Sequence, residues 1–124
     1  MIAQVDAALC RLLRPCLPAG TQIRLDPPKP AWRTESQVRS VEVFLFALRG
    51  ERAARSCTLS YLVTARAREV GEEHQLLDAA LHAVLGAEDP PLRMRLGGTD
   101  PTRLWTSLGM PARAGFVLQV TADV

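Results

Sequence analysis

Residues 41–48 and 58–66 constrain the fold more than any other part of the chain. In the first run Val41, Val43, Leu45 and Ala47 alternate with Phe44, Phe46 and Leu48, so both faces of an extended strand are apolar. A strand of that kind is expected at the centre of a sheet, covered on two sides. The second run is similar but has a more polar second face. Between them, Arg49-Gly50-Glu51-Arg52-Ala53-Ala54-Arg55 is short, charged and glycine-containing. Such a segment suits a hairpin loop and predicts that the two strands are antiparallel.

The remaining segments supply the other layers. Ile2, Val5, Leu9, Leu12, Leu13 and Cys16 recur at three- and four-residue steps and form one apolar helix face, which Pro15 should end near Arg14. Residues 21–25 alternate, with Ile23 and Leu25 on one face of a short strand. Asp26-Pro27-Pro28-Lys29-Pro30 follows, a stiff segment that cannot add a central strand. Trp32 after it either lids its own domain or meets a partner. Glu72 and Glu73 favour the positive end of a helix that buries Leu77, Ala80, Leu81 and Val84 and stops at Gly86. Leu92, Met94 and Leu96 alternate with Arg93 and Arg95 as a half-exposed strand. Asp100-Pro101 reads as an N-cap and first helical position for a short helix carrying Leu104, Trp105 and Leu108. Phe116, Leu118, Val120 and Ala122 make a last strand. The order predicts one domain over residues 1–124 of α+β class, with a mixed, largely antiparallel sheet flanked by helices.

Composition narrows the function by exclusion. At 124 residues and 48% hydrophobic content the chain can bury one ordinary core. No apolar run reaches the roughly 20 residues of a membrane span. No signal peptide is legible at the N-terminus, so the simplest expected location is cytoplasmic. Cys10, Cys16 and Cys57 form no C-x-x-C pair and read as small buried hydrophobes. Net charge is +2. The basic residues are scattered without interleaved aromatics, which argues against nucleic acid as a partner. His74 and His82 stand about 12 Å apart along one helix and cannot share a metal. Cys57, Ser60 and His74 lack the glycines of a nucleophile elbow, and Gly97-Gly98-Thr99 lacks the lysine of a phosphate loop. No catalytic residue, cofactor site or metal site is expected, and an enzyme is not.

Five segments taken in order carry a resemblance: Leu25-Asp26-Pro27-Pro28 with Trp32; Leu59-Ser60-Tyr61-Leu62-Val63-Thr64-Ala65; Glu73-His74-Gln75-Leu76-Leu77; Leu104-Trp105-Thr106-Ser107-Leu108-Gly109; and Phe116-Val117-Leu118-Gln119-Val120-Thr121-Ala122. Together they resemble the N-terminal domain of the cap, or tail-terminator, proteins of phage-tail-like contractile injection systems, the Pvc16-type family. The resemblance implies a tail-terminator-like fold and a structural cap. Such a cap would form a six-fold ring with copies of itself and meet the inner tube and sheath proteins within a particle. Many relatives carry a further segment, and the loop after Leu48 is short here, so a cap with a smaller footprint is expected. The candidate partner contacts are Asp26, Pro27, Pro28 and Trp32 in the proline loop, Arg49, Arg52 and Arg55 in the hairpin, and Thr121 in a C-terminal strand expected to offer an open edge. A small cytosolic protein-binding adaptor is the alternative function, and a hydrolase around Cys57 or His74 a third.

Overall fold

The structure, a computed structural model, describes residues 1–28, 39–87, 92–97 and 100–124. Helix α1 (Ile2–Leu13) leads through a 3₁₀ turn (Arg14–Cys16) to strand β1 (Gln22–Arg24). Strands β2 (Ser40–Glu51) and β3 (Ser56–Arg66), helix α2 (Val70–Leu85), strand β4 (Arg93–Leu96), helix α3 (Thr102–Ser107) and strand β5 (Gly115–Asp123) follow. The strands form one five-stranded sheet in the order β1-β2-β3-β5-β4. Among the described residues only β1 and β2 are parallel; every other neighbouring pair is antiparallel. The expected mixed, largely antiparallel sheet flanked by helices is the observed one.

The central strand is β3, not the run at 41–48. β3 is paired along its length by β2 and β5, and Leu59, Tyr61, Leu62, Val63 and Thr64 are almost wholly removed from solvent. β2 is buried only as far as Val43 and becomes exposed toward the hairpin. The reason lies in β1, which pairs with Ser40, Val41 and Glu42 alone. Pro27 and Pro28 follow and have no N–H to carry the ladder onward. Leu25, expected to share a buried face with Ile23, is 42% exposed for the same reason.

Both long helices pack on one face of the sheet. Val5, Leu9 and Leu13 of α1 and Leu76, Ala80, Ala83 and Val84 of α2 meet Val41, Val43, Leu59, Tyr61, Val63, Leu118 and Val120. The buried stripe of α2 is thus rotated from the expected one: Leu77 and Leu81 lie half-buried on its flank. Ala80 and Ala83 face the sheet, where small side chains let the helix approach closely. Tyr61, fully buried, donates its hydroxyl to Asp6 Oδ1 of α1 at 2.6 Å, which accounts for an acidic residue inside an apolar helix pattern. Burial and this carboxylate push the Tyr61 phenol far above its usual range.

The second face is divided. Alternation directs Glu42, Leu62, Thr64, Arg66 and Val117 to it, and all are buried. Trp105 of α3 is 3% exposed and, like Leu62 and Val117, lies outside the helix-covered core. Toward the hairpin the same face opens to solvent. A bulge at Phe46, between the Leu45↔Tyr61 and Ala47↔Ser60 pairs, shifts β2 by one residue, so the residues facing that way change from even to odd numbers.

Candidate protein-binding surface

No catalytic geometry assembles from the residues considered in the sequence. Cys57 and Ser60 project to opposite faces of β3, and His74 is exposed on α2. Among the described residues no three His, Cys, Asp or Glu side chains gather as metal ligands. None of the described helices is long and apolar enough to cross a membrane. The cysteines are unpaired: Cys57 is buried and Cys10 half-buried, but Cys16 is exposed. The 3₁₀ turn forced by Pro15 carries Cys16 off the apolar stripe of α1, contrary to the expectation that all three are buried.

The hairpin end of the sheet is where chemistry for recognition accumulates. The strands run on to Glu51 and resume at Ser56, so the connection is a tight turn over residues 52–55, with Arg55 at φ 51°. Arg49, Arg52 and Arg55 are all exposed. Register places Arg49 on one row with Thr58, Thr121 and Arg93, and Ala47 on the next with Ser60, Gln119 and Arg95. The topology therefore brings Arg49 and Thr121 onto one open, polar half-face. It also adds Arg93 and Arg95, which sequence reasoning had only as the outer side of a strand. Arg93 Nη2 donates to Asp123 Oδ1 at 2.8 Å, and Arg95 Nε to Gln119 Oε1 at 2.8 Å. The Val124 N–H donates to the Arg55 carbonyl at 2.8 Å and ties the end of β5 to the hairpin.

Thr121 does not stand on an open edge. Its strand is paired by β3 on one side and by β4 on the other, with Thr121 opposite both Thr58 and Arg93. Removing residues 121–124 would break this pairing together with the Arg93–Asp123 bridge, so the deletion is a test of the sheet as much as of any partner.

The proline-loop candidates belong to a different segment, which follows β1 where its pairing with β2 ends at Arg24↔Glu42. Asp26 and Pro27 are exposed, with Arg24 Nη2 at 3.8 Å from Asp26 Oδ2. Pro28 is buried and off the surface; Trp32 lies outside the described residues.

Where β1 pairs with β2, the second face holds a buried group of ionisable side chains. Glu42 is fully buried, in register with Arg24 on one side and Thr64 on the other, with Arg66 two residues further along β3. Neither carboxylate oxygen of Glu42 has a hydrogen-bond partner among the described residues. Burial raises its pKa to about 7 against the pull of Arg113, Arg66 and Arg24. Arg113 Nη2 donates to Glu73 Oε1 at 3.0 Å and to the Ala65 carbonyl at 2.9 Å, joining the approach to β5, the end of β3 and the first turn of α2.

No protein-family model and no curated protein sequence matches the chain. Among solved structures, the fold is similar to the sheath/tube terminator of an extracellular contractile injection system, PVC, in its extended state. The two share 20% sequence identity and superpose with a TM-score of 0.78 over 98% of this chain. The match covers 55% of that terminator, so this chain spans about half the neighbour's length, and the likeness establishes a fold shared with a tail terminator.

Proposed function

We propose that the chain is a structural cap of the Pvc16 type, ending and stabilising the inner tube and sheath of a contractile injection system as a six-fold ring. The observation that carries this reading is the fold likeness to a sheath/tube terminator across 98% of the chain. The order of motifs along the sequence supports it independently. A cap works by geometry: a helical polymer grows because each layer presents an edge to the next, and a cap must bind that edge while offering none onward. A rigid sheet with its densest exposed charge gathered at one end suits such docking. On this reading Arg49, Arg52, Arg55 and the row holding Thr121 and Arg93 form one contact surface, and Asp26, Pro27 and Trp32 a second. The partners are copies of the chain, the tube protein and the sheath protein, with no role for nucleic acid, membrane, cofactor or catalysis.

Electron microscopy of particles from cells lacking the chain tests this. Overlong or unravelling tubes are expected, restored to length by the gene supplied in trans. Particles of normal length and stability would overturn the cap and leave a protein-binding adaptor as the better reading.

A further inference from the structure

Among the described residues the sheet has two unpaired edges, and they lie level with each other. From Val43 to Glu51 the outer edge of β2 pairs with no strand among the described residues. On the far side, β4 has four residues, and its outer edge is likewise unpaired there. Carried across the sheet, the register puts Ala47 on the row of Arg95 and Leu48 on the row of Met94. The two edges thus face outward at one height, in the half of the sheet nearer the hairpin. Their directions match as well. Because β2–β3, β3–β5 and β5–β4 are each antiparallel, β4 of one copy set beside β2 of the next meets it antiparallel, as a continuation of the same sheet.

Edge strands of soluble proteins are ordinarily guarded by charge or proline. Here residues 43–48 carry no charge, Arg49 and Glu51 being the charges within 47–51, and Leu48 is 53% exposed. The bulge at Phe46 leaves residues 47–51 as a regular stretch, long enough for a partner of four residues. Set level, an incoming Arg93 lies directly opposite Arg49, a like-charge pair that costs pairing energy; Glu51 on the diagonal and Asp123, 2.8 Å from Arg93, offset it.

We propose that neighbouring copies join through β4 of one pairing antiparallel with residues 47–51 of β2 in the next. The contact is head-to-tail, uses a different surface on each side, and so propagates around a ring. It rests on the cap reading above and supplies the join between copies. Four residues of pairing are too few to hold two copies in dilute solution against the freedom they lose. The contact closes where copies are seated side by side on a filament end. An extended arm from another protein also fits a bare edge; a second copy is favoured because the same molecule carries the matching strand at the same height and in the right sense.

Disulfide trapping tests the join. Ala47→Cys and Arg95→Cys are combined in a Cys16→Ser background, incorporated into particles and oxidised. A ladder of covalent multimers on a non-reducing gel is expected, with none from either single variant. In the unaltered chain, amide exchange over residues 47–51 should slow on incorporation. Dimers from Ala47→Cys alone would show symmetric pairing and overturn the proposal. So would linkage to tube or sheath protein, or no linkage and no added protection in chains present at particle ends; each of these leaves the cap reading standing. Absence of the chain from particle ends would remove the cap reading and this join together.

Discussion

Glu42 is a carboxylate fully removed from solvent on the second face of the sheet. Its strand reads as apolar on both faces, yet pairing with β1 and β3 buries this carboxylate beside Arg24, Arg66 and Arg113. Its pKa is raised from the ordinary 4.5 to about 7, so the folded chain holds a proton that the unfolded chain releases between those values. The sign follows: this contribution to stability is full below the unfolded value and is lost as pH rises through the folded one. The displacement corresponds to about 3 kcal/mol at most. Glu42→Gln should therefore raise the urea midpoint at about pH 8 and flatten the gain in stability otherwise seen on going to about pH 5. An unchanged pH profile in the variant would sink this account. Arg113 is the complementary case. Its side chain is 7% exposed and that of Glu73 15%, so truncation strands a buried carboxylate and the Ala65 carbonyl. Arg113→Ala should cost about 3 kcal/mol in chemical unfolding, and Arg113→Lys should recover only part, since an ammonium lacks the planar fork. A loss below about 0.5 kcal/mol would mean that the bridge contributes nothing measurable.

At the scale of elements, stability should fall from the centre of the sheet to its edges. β3 is paired on both sides and buried on both faces over Leu62, Val63 and Thr64, whereas β2 beyond Glu42 is paired on one side only among the described residues. Amides of Leu62 and Val63 should accordingly be among the slowest to exchange in the isolated protein, and those of Leu48 and Gly50 orders of magnitude faster. Equal protection of the two strands would contradict the sheet order. Much of this arrangement was legible in the sequence. The two long helices, the apolar stripe of α1, the hairpin, the half-exposed strand at 92–96 and the final strand came from periodicity and from Pro and Gly signals, because those depend on near neighbours. Asp100 was legible as a cap, and it does accept from the N–H and hydroxyl of Thr102, though α3 begins one residue later than expected. Neighbour relations in the sheet were not legible. A doubly apolar run says that both faces are covered, but nothing about how far the strand beside it extends.

At the scale of the whole molecule, the scattered arginines acquire a direction. Arg49 and Arg52 in the hairpin and Arg93 in β4 are far apart in sequence and meet at one end of the fold only because β4 returns to lie beside β5. Charge reversal at Arg49 and Arg52 should leave thermal unfolding unchanged, since both are exposed, while reducing incorporation into particles about ten-fold or more, with strong salt dependence in the parent. Arg55 is best left in place, because its φ of 51° already strains the turn. Incorporation indifferent to both reversal and salt would remove the hairpin end from the contact surface. Free in solution, the chain should be largely monomeric: four residues of strand pairing offer about 4 kcal/mol of hydrogen bonding, no more than the lower bound of the association cost.

By itself, the sequence determined the α+β class, the strand and helix segments, the absence of a legible catalytic motif and the resemblance to tail terminators. Each of these is written in local spacing or residue type. Only the tertiary structure decided that β3 is central, that β5 is enclosed by β3 and β4, and that Glu42 is buried beside arginines. It alone set two edges, bare among the described residues, at one height. These depend on which strands lie side by side, which is settled by packing between segments distant in the chain.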